Sequence, residues 1–105
     1  MLDFATLQTP AEDGQILLQP PAASLPDLVR ANRCLLERWR FELAGQDVQQ
    51  IRRQLRAWLA GEPDRPLIVT GHQPEFIHPG VWLKHAVTCL LACRLNGVAL
   101  NLVVD

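Results

Sequence analysis

The chain has 105 residues, 49% of them apolar, and its 10 basic side chains nearly balance 11 acidic ones for a net charge of −1. This length allows one small domain or part of a larger one. The charge balance argues against general nucleic-acid binding and against an acidic solvating tail. The apolar run at residues 86–93 is far shorter than the roughly 20 residues that a membrane span needs.

The amino-terminal residues lack the basic and apolar segments of a secretory signal, and three cysteines cannot all pair within one chain. We therefore expect the protein in a reducing cytoplasm. Residues 1–23 contain three acidic residues, no basic residue and three prolines, which predicts an extended leader. The apolar residues 16–18 could form a short strand within this leader, but the signal is weak.

Residues 24–61 predict a helical hairpin. Apolar residues recur at helical spacing from Ser24, a plausible N-cap, to Gly45. A second amphipathic helix is expected from its N-cap Asp47 to its stop at Gly61. The pattern therefore predicts two antiparallel helices joined at residues 45–46.

The basic residues of the chain concentrate on this hairpin, where seven arginines and four acids give +3. Arg52, Arg53 and Arg56 form a polar arc opposite the apolar stripe of the second helix. Such an arc can bind an acidic protein partner or RNA phosphates. Because no aromatic residue is interleaved for base stacking, a solvated helix face is the favoured interpretation.

A turn-rich linker at residues 62–66 separates the hairpin from a strand–helix–strand pattern over residues 67–105. The three elements are expected at residues 67–70, 81–96 and 98–104, with Gly97 as the residue that ends the helix. Continuous apolar strands around an apolar helix indicate a parallel βαβ unit with a right-handed crossover. The predicted fold class is therefore α/β, the beginning of a Rossmann-like nucleotide-binding fold after a helical hairpin.

Two parallel strands leave their edge groups unpaired and one face bare. The sequence also stops at the carboxyl end of the second strand, where such folds place functional residues. We therefore expect the chain to be the amino-terminal portion of a longer protein. A sharp cooperative unfolding transition of the monomer in urea would contradict this expectation.

The loop at residues 71–80 contains two glycines, two prolines and two histidines between a strand and a helix N-terminus. Its ten residues exceed the roughly 2–6 that such a connection needs. The unpaired amides and the dipole at a helix N-terminus favour anions, so we expect a phosphate ligand. The alternative is that Pro74 and Pro79 only shape a tight connection while the histidines cap the helix.

In this phosphate site each residue has an expected role. His78 and Lys84 would hold the phosphate, and Gly80 would let the ligand approach the backbone. His72 would be a second donor or a general acid/base, since histidine exchanges protons near neutral pH. Asp105 either binds a sugar hydroxyl or a metal ion or is an ordinary turn residue after the second strand.

A second cluster consists of His85, Cys89 and Cys93, which lie four residues apart on the third predicted helix. Three ligands on one straight helix rarely complete a tetrahedral zinc site. Small apolar cysteines in a buried helix are therefore the favoured interpretation, and no metal site is predicted. Cys34 has no partner that the sequence identifies.

The stretch from Leu67 to Ala86 resembles the first βαβ segment of the bacillithiol-biosynthesis cysteine-adding enzymes, and the resemblance extends over residues 67–105. The residues that carry the resemblance are Thr70, Gly71, Gln73, Gly80 and Lys84. It implies a nucleotidyltransferase-like Rossmann core with helical additions, ligation of cysteine to glucosaminyl malate, and a ligand site that includes Gly71 and Gln73. In that family the position of His72 usually holds glutamine.

Two shorter motifs also resemble known families. His78 and Gly80 match the His-x-Gly-His signature of nucleotidyltransferases and class I tRNA synthetases, whose last histidine is Val81 here. Residues 72–74 are similar to the His-Gln-Pro opening of WbqC-like proteins.

The leading hypothesis is that this chain is the phosphate- or nucleotide-binding part of a ligase or group transferase. The candidate catalytic residues are His72 and His78, and ATP and CTP are candidate ligands, although no cofactor follows from the sequence. The rival hypothesis is a non-catalytic protein-interaction module, with the arginine-bearing hairpin as its binding surface, or a fragment with no activity of its own.

Overall fold

The computed structural model describes residues 4–74 and 78–104. Two 3-10 turns, Phe4–Thr6 and Ala22–Ser24, precede the regular elements. These are α1 (Leu25–Glu37), β1 (Glu42–Leu43), β2 (Gln46–Asp47), α2 (Val48–Ala60), β3 (Leu67–His72), α3 (Pro79–Arg94) and β4 (Val98–Val103). The described ranges thus form a mixed α/β structure, as predicted, whereas the Rossmann-like fold stays a prediction.

The first helix is shorter than the sequence pattern predicts, because it ends at Glu37 and not near Gly45. Residues 42–47 instead form a two-stranded antiparallel hairpin. Its turn residues Ala44 and Gly45 both have positive φ, at 51° and 76°. Two successive left-handed residues fit a two-residue hairpin turn, which the helical spacing of the apolar residues does not reveal.

The helix caps agree with the sequence in α2 and differ in α1. The Asp47 carboxylate accepts a hydrogen bond from the Gln49 amide at 2.6 Å, and Gly61 ends α2 with a φ of 67°. Ser24 stands at the N-cap position of α1, but its hydroxyl donates to the Pro21 carbonyl at 2.8 Å and does not cap the helix. The short strand considered over residues 16–18 does not form.

The predicted strand–helix–strand unit is present. Strands β3 and β4 are parallel, from Leu67 opposite Val98 to His72 opposite Val103. Helix α3 packs against both strands and buries Val81, Thr88 and Ala92 on one face. The carboxyl ends of both strands therefore meet at one edge of the sheet, next to the loop that leads into α3.

Gly97 has a different role from the one predicted. The left-handed residue after α3 is Asn96, with a φ of 49°, whereas the φ of Gly97 is not positive. A Cβ atom at Gly97 would lie 2.6 Å from the Pro66 carbonyl oxygen, which also accepts a hydrogen bond from the Val98 amide at 2.7 Å. Glycine is therefore required here because the linker backbone approaches so closely.

Much apolar surface stays open. The accessible surface is 8256 Å², whereas a compact monomer of this mass exposes about 5,900 Å². Helix α3, which we expected to be buried on nearly every side, leaves Trp82 63% and Leu90 70% exposed. The sheet covers only one side of this helix. In the described part of the chain, no helix has the length and apolar character to span a membrane.

Candidate ligand site at the carboxyl end of β3

Lys84 reaches from α3 to the end of β3. Its ammonium group donates to the Gly71 carbonyl oxygen at 2.6 Å. The Thr88 hydroxyl, on the buried face of α3, donates to the Lys84 carbonyl at 2.8 Å. A lysine ammonium has three N–H donors, so the contact with Gly71 leaves two for other partners. The structure thereby places a positive charge at the carboxyl edge of the parallel sheet.

His72 is the last residue of β3 and is half-buried. Its Nδ1 lies 3.0 Å from the backbone carbonyl oxygen of Gln73. A carbonyl can only accept, so Nδ1 must carry the hydrogen in this contact. In the neutral imidazole the Nε2 atom is then unprotonated, which gives His72 a lone pair for accepting a proton.

His78 has the opposite arrangement. It is the N-cap residue of α3, and its Nδ1 accepts a hydrogen bond from the Gly80 amide at 3.0 Å. Because Nδ1 accepts, the neutral ring carries its hydrogen on Nε2. His78 is exposed, so this Nε2–H group is a hydrogen-bond donor at the start of the helix.

The expected phosphate cradle of free amides is therefore closed by the protein itself. Pro79 has no N–H group, the Gly80 amide donates to the His78 ring, and the Val81 amide donates to the His78 carbonyl at 2.9 Å. The space beside Gly80 is also filled, since a Cβ atom there would lie 3.1 Å from His78 Nδ1. A phosphate could reach these amides only if the imidazole left its capping position. The geometry of His78 is therefore that of the alternative interpretation, in which the histidine caps the helix.

The remaining predicted site residues are only partly defined. Gln73 is exposed and contacts His72 through its backbone carbonyl. Asp105 lies outside the described residues, as do residues 75–77 of the loop. Thr70, next to Gly71, has a buried hydroxyl with no hydrogen-bond partner in the described ranges. A buried hydroxyl without a partner costs about 1–3 kcal/mol of stability.

The cysteines differ from the interpretation as buried apolar residues. Cys89 and Cys93 are exposed, as is Cys34, and all three are free thiols. They lie on sides of the helices that no other element covers. Within the described ranges no group of three or more histidine, cysteine, aspartate or glutamate residues could hold a metal ion.

A set of arginine–carbonyl contacts was not anticipated from the sequence. Arg33 of α1 donates to the Asp64 carbonyl at 3.2 Å. Arg56 of α2 donates through Nε to the Pro63 carbonyl at 2.7 Å and through Nη2 to the Arg65 carbonyl. Both helices are thereby attached to the linker at residues 62–66.

Arg65 continues this attachment to the strand–helix–strand unit. Its Nε donates to the Asn96 carbonyl at 2.9 Å, and its Nη2 donates to the Gly97 carbonyl at 2.8 Å. These acceptors lie in the turn between α3 and β4. Carbonyl oxygens occur in every residue, so no residue pattern in the sequence marks such acceptors.

The comparisons with family models, with curated proteins and with solved structures found no match for this chain. Two positions concentrate polar side chains in the described ranges: the carboxyl end of β3, with Lys84 and His72, and the groove between α1 and α2, with the arginine arc.

Proposed function

We propose that the carboxyl end of β3 binds the phosphate group of a nucleotide or other phosphorylated small molecule, as part of a ligase or group transferase. The observation that supports this proposal is the 2.6 Å contact between Lys84 Nζ and the Gly71 carbonyl. It holds an ammonium group at the sheet edge where α/β folds bind ligands. Two further N–H donors of Lys84 are then available for phosphate oxygens.

In this proposal side chains, and not the helix amides, hold the phosphate. Lys84 supplies the charge and the His78 Nε2–H group supplies a second donor, while the His78 Nδ1 atom keeps its place on the Gly80 amide. His72 has the complementary role, since its unprotonated Nε2 can take a proton from an attacking group. A donor imidazole and an acceptor imidazole can act as the general acid and the general base of a group transfer.

The choice of a ligase or transferase comes from the resemblance to the cysteine-adding enzymes, which covers residues 67–105. That resemblance proposes ATP or CTP as the ligand to test first. It also proposes Gln73 as a ligand contact, and Asp105 remains a candidate contact at the end of β4.

The test uses the fact that Lys84 is the only lysine of the chain. In ¹³C,¹⁵N-labelled protein its side-chain Cε and Nζ nuclei therefore give a single lysine signal, and all three N–H donors of the ammonium group stay in place. Titration with ATP, CTP and a sugar phosphate should shift this signal saturably. A lysine signal that none of these compounds shifts would contradict the proposal.

Three variants then identify the binding groups by calorimetry. Lys84→Gln removes the ammonium and should weaken binding about tenfold or more, since a charge-assisted hydrogen bond contributes about 1.5–3 kcal/mol. His78→Ser keeps an oxygen acceptor for the Gly80 amide but removes the imidazole, so it should fold normally and bind more weakly. Arg94→Gln, a charge change at the other end of α3, is the matched control and should have no effect.

A second candidate function is the protein-interaction module. Leu55 and Trp58, three residues apart on α2, are 50% and 80% exposed, which leaves an apolar surface uncovered on the hairpin. Exposed apolar patches of this kind often contact other proteins. If ligand binding were indifferent to both Lys84→Gln and His78→Ser, this second function would be favoured.

A further inference from the structure

The arginine arc of α2 lines a groove, in which Arg52 and Arg56 are half-buried and Arg53 is exposed. Gln49, Arg52, Arg53 and Arg56 follow one stripe of α2, and opposite them lie Arg33 and Glu37 of α1 and the linker residues Pro63 and Asp64. Together these residues line a groove that is open to solvent on one side and has a volume of about 190 Å³. This volume is smaller than the roughly 300–1,000 Å³ of pockets for drug-sized ligands, so the groove fits a compact ligand.

The groove carries uncompensated positive charge, although the whole chain has a net charge of −1. Four guanidinium groups and two carboxylates line it, which leaves two positive charges in excess. Arg33 Nη2 lies 4.0 Å from Glu37 Oε1. No ion pair with any residue in the described ranges is formed by the other three arginines, Arg52, Arg53 and Arg56. Burial, followed by the charges of Arg33 and Arg52, lowers the pKa of Arg56 below its ordinary value.

Three of the four guanidinium groups contact neutral partners. Arg33 and Arg56 donate to linker carbonyls, and the Arg52 guanidinium lies 5.9 Å from the centre of the Trp39 ring. Carbonyls and an aromatic face orient these cations without cancelling their charge. The Gln49 side chain is likewise held by the carbonyls of Leu36 and Trp39, at 2.9 and 2.8 Å.

We propose that this groove between α1 and α2 is a second anion site, which binds the phosphate group of a small molecule. Phosphate is favoured over a carboxylate because it is a dianion near neutral pH and matches the excess of two charges. Arginine also binds phosphate oxygens in the bidentate geometry that its planar fork provides. The small volume of the groove favours a compact phosphomonoester over an acidic protein segment. The proposal is independent of the Lys84 site.

The test observes both sites at once on the full chain. The Nε–Hε signals of Arg52 and Arg56 report the groove, while the side-chain signal of Lys84 reports the end of β3. Inorganic phosphate and glucose 6-phosphate are added at constant ionic strength, with chloride as the reference anion. We expect both arginine signals to shift saturably with phosphate and not with chloride, whatever the lysine signal does. Arginine signals that respond equally to chloride would overturn the proposal, because they would report charge screening alone.

Variants that spare the linker contacts complete the test. Arg52→Gln and Arg53→Gln should each weaken phosphate binding at the groove about fivefold to tenfold, because each removes one cation from the site. Arg30→Gln, which removes an exposed arginine paired with Asp27 on α1, is the matched control and should leave binding unchanged. Unchanged affinity in both groove variants would overturn the proposal. So would a polyglutamate peptide that bound the groove more tightly than glucose 6-phosphate, since the site would then be a protein-docking surface.

Discussion

The helical hairpin, which contains α1 and α2, and the strand–helix–strand unit, which consists of β3, α3 and β4, are stabilised in different ways. In the latter, a backbone ladder of six residue pairs joins β3 to β4, and the buried residues of α3 cover one side. In the hairpin, α1 and α2 are attached to the linker by long arginine side chains that reach backbone carbonyls. Backbone ladders follow from strand patterns in the sequence, whereas side chain-to-carbonyl contacts depend on which backbone happens to lie near an arginine.

This difference also separates the two candidate sites. The Lys84 site is a property of the βαβ topology, because an α3 residue one turn into the helix faces the end of β3. The arginine groove is a property of the side chains, because its charges are oriented by the linker and by Trp39. A change in the linker should therefore disturb the groove and leave the contact between Lys84 and Gly71 in place.

The largest expected effect concerns the close approach of the linker backbone at Pro66 to Gly97, just before β4. Gly97→Ala would place a Cβ atom 2.6 Å from the Pro66 carbonyl oxygen, so backbone must move. We expect a loss of about 2–3 kcal/mol in the opening free energy of the Val98 amide, measured by hydrogen exchange.

Gly71→Ala is the matched control for this change. Its Cβ atom would lie 3.5 Å from the Leu102 carbonyl oxygen, which is ordinary contact. Alanine in a strand loses less backbone entropy than glycine, so this variant should be neutral or up to about 1 kcal/mol more stable. Equal destabilisation by both substitutions would show that the approach of Pro66 is not what requires glycine at position 97.

The next effect tests the attachment through Arg65. Arg65→Ala removes the hydrogen bonds to the carbonyls of Asn96 and Gly97 and should lower stability by about 1–2 kcal/mol. The loss should appear in hydrogen exchange of amides in the hairpin as well as at Val98. Arg30→Ala, which removes only an exposed ion pair, should cost less than about 1 kcal/mol. An Arg65 variant as stable as the Arg30 variant would contradict a structural role for these bonds.

The sequence predicts the parts of this fold that have a residue signature. Asp47 and Gly61 mark the ends of α2, and the apolar runs predict β3 and β4. The end of α1 at Glu37 has no such mark, because no glycine or proline follows until Gly45.

At the candidate site, the resemblance includes both Gly71 and Lys84. Predicting the hydrogen bond between them, however, requires knowing where α3 lies relative to β3. His78 was expected to bind phosphate, and only the structure shows that its ring bonds to the Gly80 amide.

A smaller effect tests the helix cap within the hairpin. Asp47→Ala removes the acceptor for the Gln49 amide and should cost about 1 kcal/mol of α2 stability. Asp47→Asn keeps an oxygen acceptor at the same position, so it should cost only a few tenths of a kcal/mol. Hydrogen exchange of the first-turn amides of α2 measures both losses. If the two variants lost equally, the charge of Asp47 beside the helix dipole would matter more than its hydrogen bond.

The smallest expected effect concerns the repulsion between the arginine guanidinium groups that line the groove between α1 and α2. Burial, and after it the charges of Arg33 and Arg52, lower the pKa of Arg56, so the folded chain binds this proton less tightly than the unfolded chain does. The repulsion from Arg33 and Arg52 is present at every pH below that lowered pKa and is relieved only as the pH rises through it. Near neutral pH only a bound anion or added salt can reduce it.

We therefore expect sodium chloride to stabilise α2 of the wild type relative to Arg52→Gln by about 0.2–0.5 kcal/mol between low and high salt. The comparison isolates the repulsion, because the exposed ion pairs of the chain weaken equally in both proteins. The lost contact between Arg52 and Trp39 shifts the variant by a nearly constant amount and cancels in the salt dependence. Hydrogen exchange of α2 amides in both proteins gives the measurement. Identical salt dependence in the two proteins would mean that Arg52 and Arg56 do not repel each other enough to favour an anion between them. The electrostatic reason for proposing an anion site in the groove would then be wrong.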